Sequence, residues 1–142
     1  SITFPASTAV PTAIIRSAAA GTVLNGLTFS CGASNTARAV SFVTGASDAR
    51  VTDTSFTSTA ATAATAIEII NALAGLTMDN VSFDGGSFEW TAAAFLGTAA
   101  VTRLRATRMY QLNGSDVTLA TGTTGVWQQE VSTGNSRLTW TV

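Results

Sequence analysis

Residues 78–83, Met78-Asp79-Asn80-Val81-Ser82-Phe83, read apolar, two turn-formers, apolar, polar, aromatic. The stretch is too short for a helix and too broken for a plain strand. A step of 27 residues upstream reaches Val51-Thr52-Asp53-Thr54-Ser55-Phe56, and a second step reaches Leu24-Asn25-Gly26-Leu27-Thr28-Phe29. The same step downstream reaches Arg105-Ala106-Thr107-Arg108-Met109-Tyr110. The last positions are Phe29, Phe56, Phe83 and Tyr110, four of the eleven Phe, Trp and Tyr residues in the chain. Aromatics in register at one spacing mark a repeat. Two positions earlier the column reads Leu27, Thr54, Val81, Arg108, so the pattern decays in the fourth copy.

Two further columns share the period. Residues 39–43, 66–70 and 93–97 carry the apolar pairs Val40/Phe42, Ile67/Ile69 and Ala94/Leu96. Residues 22–24, 49–51, 76–78 and 103–105 form the other, and Ala13-Ile14-Ile15-Arg16 is a degraded earlier copy of the first. Each repeat therefore holds three short strand-like segments rich in β-branched and aromatic residues. This pattern predicts an all-β fold, a single-stranded parallel β-helix of about four coils of 27 residues. One coil cannot bury its inward side chains alone, so coils stack and like residues sit on like. The pairs Asn25-Gly26, Thr52-Asp53, Asp79-Asn80 and Ala106-Thr107 fall between segments and read as corners, because Asn, Asp and Gly tolerate left-handed backbone. A hairpin turn at Asn25-Gly26 is the rival reading, but it leaves the period unexplained.

The longer connections, 30–38, 57–65 and 84–92, are expected to project from one edge. In the third, Phe88 and Trp90 follow the Asp84-Gly85-Gly86 turn and look exposed. Loop aromatics serve as binding anchors; they also fold back over a coil edge, and both readings stand. After Tyr110 the organisation changes. Residues 1–110 read as the coils, and 111–142 as a partial last coil plus a capping β-hairpin of segments 125–131 and 136–142, within one structural domain. Solenoids need caps because a bare last coil presents unpaired edges.

Composition narrows the function. The 142 residues suit one domain with a real core. With 46% hydrophobic and 11% charged residues the chain is not disordered. All seven basic residues are Arg, the net charge is −1, and no basic stripe for nucleic acid exists. Arg103, Arg105 and Arg108 cluster, which suits a neighbouring chain or a local carboxylate better than phosphate. No run is long and apolar enough for a membrane span. Ser1-Ile2-Thr3-Phe4-Pro5 lacks the basic and apolar regions of a signal peptide and reads as a mature start. Cys31 is the single cysteine, and with no His in the chain it has no partner to make it a nucleophile.

No catalytic, cofactor or metal constellation stands out. Proton transfer at neutral pH lacks both His and Lys. Asp53 and Asp79 occupy neighbouring corners and could form a weak calcium site or a glycosidase pair, but corner residues facing water is the simpler reading. Asp84 and Glu89 flank Trp90 and would be the choice for a sugar contact.

Small residues (Ala60, Ala61, Ala63, Ala64, Ala92, Ala93, Ala99, Ala100) permit close approach between chains. Thr-X-Thr pairs hint at an ice-binding solenoid, yet the pair at 52/54 becomes Asp79/Val81 and then Ala106/Arg108. The Phe29/Phe56/Phe83/Tyr110 column, the Asn/Asp corners and the Ala/Thr/Gly/Ser-rich repeats over 13–110 resemble short parallel β-helix modules of tailed-bacteriophage virions: capsid decoration proteins, head fibres and tail-spike stems. The resemblance implies a non-enzymatic homotrimer on the virion, made in the host cytoplasm. Its partners would be copies of itself and the major capsid protein or another virion protein, with no cofactor, nucleic acid or membrane. Host-surface glycan is the alternative ligand, with Asp84, Phe88, Glu89, Trp90, Arg103, Arg105 and Arg108 as the contact residues.

Overall fold

Every strand pair runs parallel. The structure, a computed structural model, describes residues 2–3, 13–32, 38–60, 63 and 65–140. The strands in chain order are β1 (Ile2–Thr3), β2 (Ile15–Ser17), β3 (Val23–Asn25), β4 (Thr28–Cys31), β5 (Arg38–Phe42), β6 (Ala49–Ser58), β7 (Thr65–Ile69), β8 (Leu73–Asp84), β9 (Phe95–Gly97), β10 (Val101–Leu112), β11 (Val117–Leu119), β12 (Gly125–Ser132) and β13 (Leu138–Trp140). They form two sheets. The first runs β1-β4-β6-β8-β10-β12, with β3 also on β6; the second runs β2-β5-β7-β9-β11-β13. From β4 to β13 the chain alternates between the sheets, one strand in each. This is an all-β parallel β-solenoid, with no helix among the described residues.

Alternation makes the long strands, and left-handed residues bend them. In β6, residues 49, 51, 54, 56 and 58 are buried, so the inward beat breaks once, between 51 and 54. Asp53 at that break has φ of 48°. One extra residue in this conformation turns the strand and restores its inward face. The breaks stack: Gly26, Asp53, Asn80 and Arg108 form one left-handed column, and Gly21, Asp48, Gly75 and Arg103 another. Gly, Asn and Asp adopt this backbone most cheaply. The opening stretch 78–83 is therefore a bend inside β8, and two of the three expected segments of a repeat belong to one strand.

The core lies between the sheets. The rings of Phe29 and Phe56 stack with centroids 4.8 Å apart, and those of Phe56 and Phe83 with centroids 5.5 Å apart. Val40, Ile67 and Phe95 form a fully buried column in the second sheet, and the Phe95 ring packs edge-on to Trp127 with centroids 5.7 Å apart.

The 27-residue step holds from β4 to β8, pairing Phe29 with Phe56 and Phe56 with Phe83. It then slips by one. Ile67 pairs with Phe95, so the extra residue lies in the connection between β8 and β9. In β10, Gln111 rather than Tyr110 pairs with Phe83. A one-residue shift exchanges the faces of a strand. Gln111 is fully buried and Tyr110 is half-buried on the outer face, so the aromatic ladder ends at Phe83. The slip also replaces the expected Ala94/Leu96 pair by Phe95 and Gly97. Its physical reason is charge. A step of 27 would set Arg103 and Arg105 inward beneath Leu76 and Met78 and expose Leu104. The observed register puts Leu104 and Ala106 inside instead. Burying unpaired guanidiniums is far costlier than one loop insertion.

The expected capping hairpin is absent. β12 pairs parallel with β10, and β13 parallel with β11, in different sheets. The connection between them is another corner of the stack. The Ser115 amide donates to Ser136 Oγ (2.9 Å), and the Arg137 amide to Asp116 Oδ1 (2.8 Å). This arrangement covers the free edges of β10 and β11, which a hairpin would leave bare. The expected projecting loops fall partly outside the described residues, at 33–37, 61, 62 and 64, as do Ala61 and Ala64.

Candidate functional site

The two left-handed columns frame a strip of the first sheet's outer face. Between them β6, β8 and β10 each present a short strand segment. Arg50, Thr77 and Arg105 point outward in one column, and Thr52, Asp79 and Thr107 in the next. Val126 of β12 extends the first column. Arg50, Thr77, Arg105, Thr107 and Val126 line a groove of about 760 Å³ together with Asp48, Gly75 and Arg103, and Thr52 and Asp79 line an adjoining hollow that shares Arg50, Thr77, Arg105 and Thr107 with it. The size of the groove falls within the range of small-ligand sites.

The rims are held by ion pairs. Arg103 Nη2 donates to Asp48 Oδ1 at 3.1 Å and to the Ala74 carbonyl at 2.7 Å. This contact skips a strand, and Gly75 makes it possible. A Cβ at Gly75 would lie 2.3 Å from Asp48 Oδ1 and 3.4 Å from Arg103 Nη2. At the other rim Asp79 accepts from Thr107 Oγ1 at 2.9 Å and from Arg108 Nε at 2.8 Å, with Arg108 Nη2 on its second oxygen. The Arg108 hydrogen bonds hold the Asp79 carboxyl well down, at about 2, aided by Thr107 and by the charge of Arg105. Arg108 is correspondingly raised. Of the four arginines around the groove, the two in left-handed backbone are thus the two engaged by carboxylates.

Arg105 and Arg50 differ from them. Neither guanidinium has a hydrogen-bond acceptor or ion-pair partner among the described residues. The arginine cluster expected at 103, 105 and 108 therefore divides: two hydrogen-bond local carboxylates, and Arg105 acts on Asp79 only through its charge. Arg50 was missed by sequence reading. With the constant step its column reads Arg50, Thr77, Leu104, which hides the relation; the slip makes it Arg50, Thr77, Arg105.

The loop residues expected to touch a glycan are not all presented to solvent. Trp90 is 5% exposed, and its Nε1 donates to Ser115 Oγ at 3.1 Å, so it folds back into the core. Asp84 closes its own turn, accepting from the Gly86 amide (2.7 Å) and Asn113 Nδ2 (2.8 Å). Phe88 and Glu89 are exposed. Asp53 accepts from Asn80 Nδ2 at 2.7 Å and, like Asp79, serves its corner. Among the described residues no cluster of three or more His, Cys, Asp or Glu is placed to hold a metal ion. Cys31 is buried, and burial pushes its thiol far up.

The class these features define is a parallel β-solenoid with an arginine-lined groove on one sheet. No protein-family model matches the chain, and neither a curated protein nor a solved structure matches it.

Proposed function

We propose that the chain is a non-enzymatic structural module of a bacteriophage virion, a homotrimeric decoration protein that binds and stabilises the head shell. The virion setting is supported by the resemblance of the repeats. Association with other chains is supported by one observation, the far end of the stack. Among the described residues no strand follows β12 in its sheet, and Val126, Val131 and Leu138 there are 56%, 40% and 39% exposed. Apolar side chains beside an open strand edge are a surface that association covers.

Light scattering tests this. The expected mass is three times the 14.5 kDa of one chain, with co-sedimentation on expanded phage heads. Val131→Glu is expected to lower both the trimer fraction and head binding. A monomer at micromolar concentration that ignores heads would overturn the proposal.

A further inference from the structure

The groove on the first sheet has an electrostatic imbalance that the stack itself does not resolve. Arg50 and Arg105 both pair in register with Thr77, one on each side. Their Cα atoms are thus two inter-strand spacings apart, about 10 Å. Two positive heads share one column, separated by a short side chain. Every other charge around the groove is engaged. Asp48 accepts from Arg103, and both oxygens of Asp79 are taken by Thr107 and Arg108. Asp79 is near enough to Arg105 for their charges to interact, but it accepts no hydrogen bond from Arg105, and three of its acceptor positions are held by Thr107 and Arg108. The Thr77 hydroxyl also has no partner among the described residues.

The geometry points to an oxyanion site: Arg50 and Arg105 clamp one carboxylate, sulfate or phosphate group over the Thr77 hydroxyl. Guanidinium forks match such groups in charge and shape, and charge-assisted hydrogen bonds are the strong ones. The floor is prearranged. Thr77 is too short to fill the space between the arginines, and the Asp48–Arg103 bridge over Gly75 fixes one rim. The carboxylates of Asp48 and Asp79 stand on opposite rims. They disfavour a continuous polyanion such as nucleic acid and can accept from hydroxyls. The ligand class is accordingly a small molecule bearing a single anionic group, either a free inorganic anion or an acidic sugar. This inference does not rest on the virion reading, and its test reads anion binding rather than the mass of the particle.

The test is a backbone-amide NMR titration of the whole chain with three probes: inorganic sulfate, glucuronate and glucose. Saturable shifts confined to residues 50, 77 and 105 and their neighbours are expected with sulfate and glucuronate and not with glucose. Tighter binding of glucuronate than of sulfate identifies the acidic sugar; the reverse identifies the free anion. Arg50→Ala and Arg105→Ala are each expected to weaken binding about tenfold or more. Arg16→Ala, on the other sheet, is expected to leave it unchanged. Both groove arginines are exposed, so their loss leaves the core intact, and an unchanged amide spectrum away from the groove checks this. Absence of saturable shifts with either anion, or equal binding by the Arg50→Ala/Arg105→Ala double variant, would overturn the inference.

Discussion

Phe56 has a ring on each side, stacked within 8° of Phe29 and 21° of Phe83. Its removal leaves a hole that neither neighbour can close without breaking the stack. Phe56→Ala is expected to cost about 3–5 kcal/mol by denaturant unfolding. Tyr110 lies on the outer face, so Tyr110→Ala is expected to cost about 1 kcal/mol or less. Equal losses would contradict the ladder's end at Phe83. Asp79 gives a second test. Its folded-state value lies below its unfolded one, so the stabilisation from the Arg108 pair is present above about pH 4. It is lost as pH falls through about 2. The side-chain carboxyl carbon of Asp79 is expected to titrate near that lower value; a midpoint near 4 would show the pair does not form in solution. The residues of the ladder were legible because identical side chains recur at identical spacing. Trp90 was not: nothing in the sequence beside it reveals that Ser115, 25 positions on, accepts its Nε1 proton.

At the scale of strands, the bends and the parallel stacking were legible, and the slip and the last coil were not. A one-residue insertion in a connection leaves no local mark. Tyr110 still falls 27 residues after Phe83 and imitates a fourth rung. The clue lay in β10, where Arg103, Arg105 and Arg108 cannot all be placed by the constant step without burying charge. Beyond β10 the step shortens, to 22 where Phe95 pairs with Val117 and to 21 where Leu104 pairs with Gly125 and Val117 with Leu138. Shortening removed the periodic signal, and turn residues at 132–135 then suggested a hairpin. Gly125 shows how tightly β12 is laid down. It has φ of 138°, and a Cβ there would lie 1.9 Å from the Leu104 carbonyl oxygen. Gly125→Ala is expected to destabilise the last coil by roughly 1–3 kcal/mol. Hydrogen exchange would then show β12 and β13 losing protection while β4 to β8 keep theirs. Unchanged protection in β12 would contradict its pairing with β10.

Across the whole molecule one event, the slip between β8 and β9, links core to surface. It carries Arg103 and Arg105 out of the interior, replaces Tyr110 by Gln111 inside, and sets Arg105 in the same outward column as Arg50. The core accommodates this with a buried polar side chain. Gln111 Nε2 donates to the carbonyls of Ser115 at 2.9 Å and Arg137 at 3.2 Å, tying the last two corners together. The groove therefore exists because charged residues could not be stacked inward. The most direct measurement is a set of backbone cross-strand NOEs between β8 and β10. The slipped register predicts contacts joining Thr77 with Arg105, Ser82 with Tyr110 and Phe83 with Gln111. Contacts joining Thr77 with Leu104 and Phe83 with Tyr110 would contradict it, and with it the arginine groove.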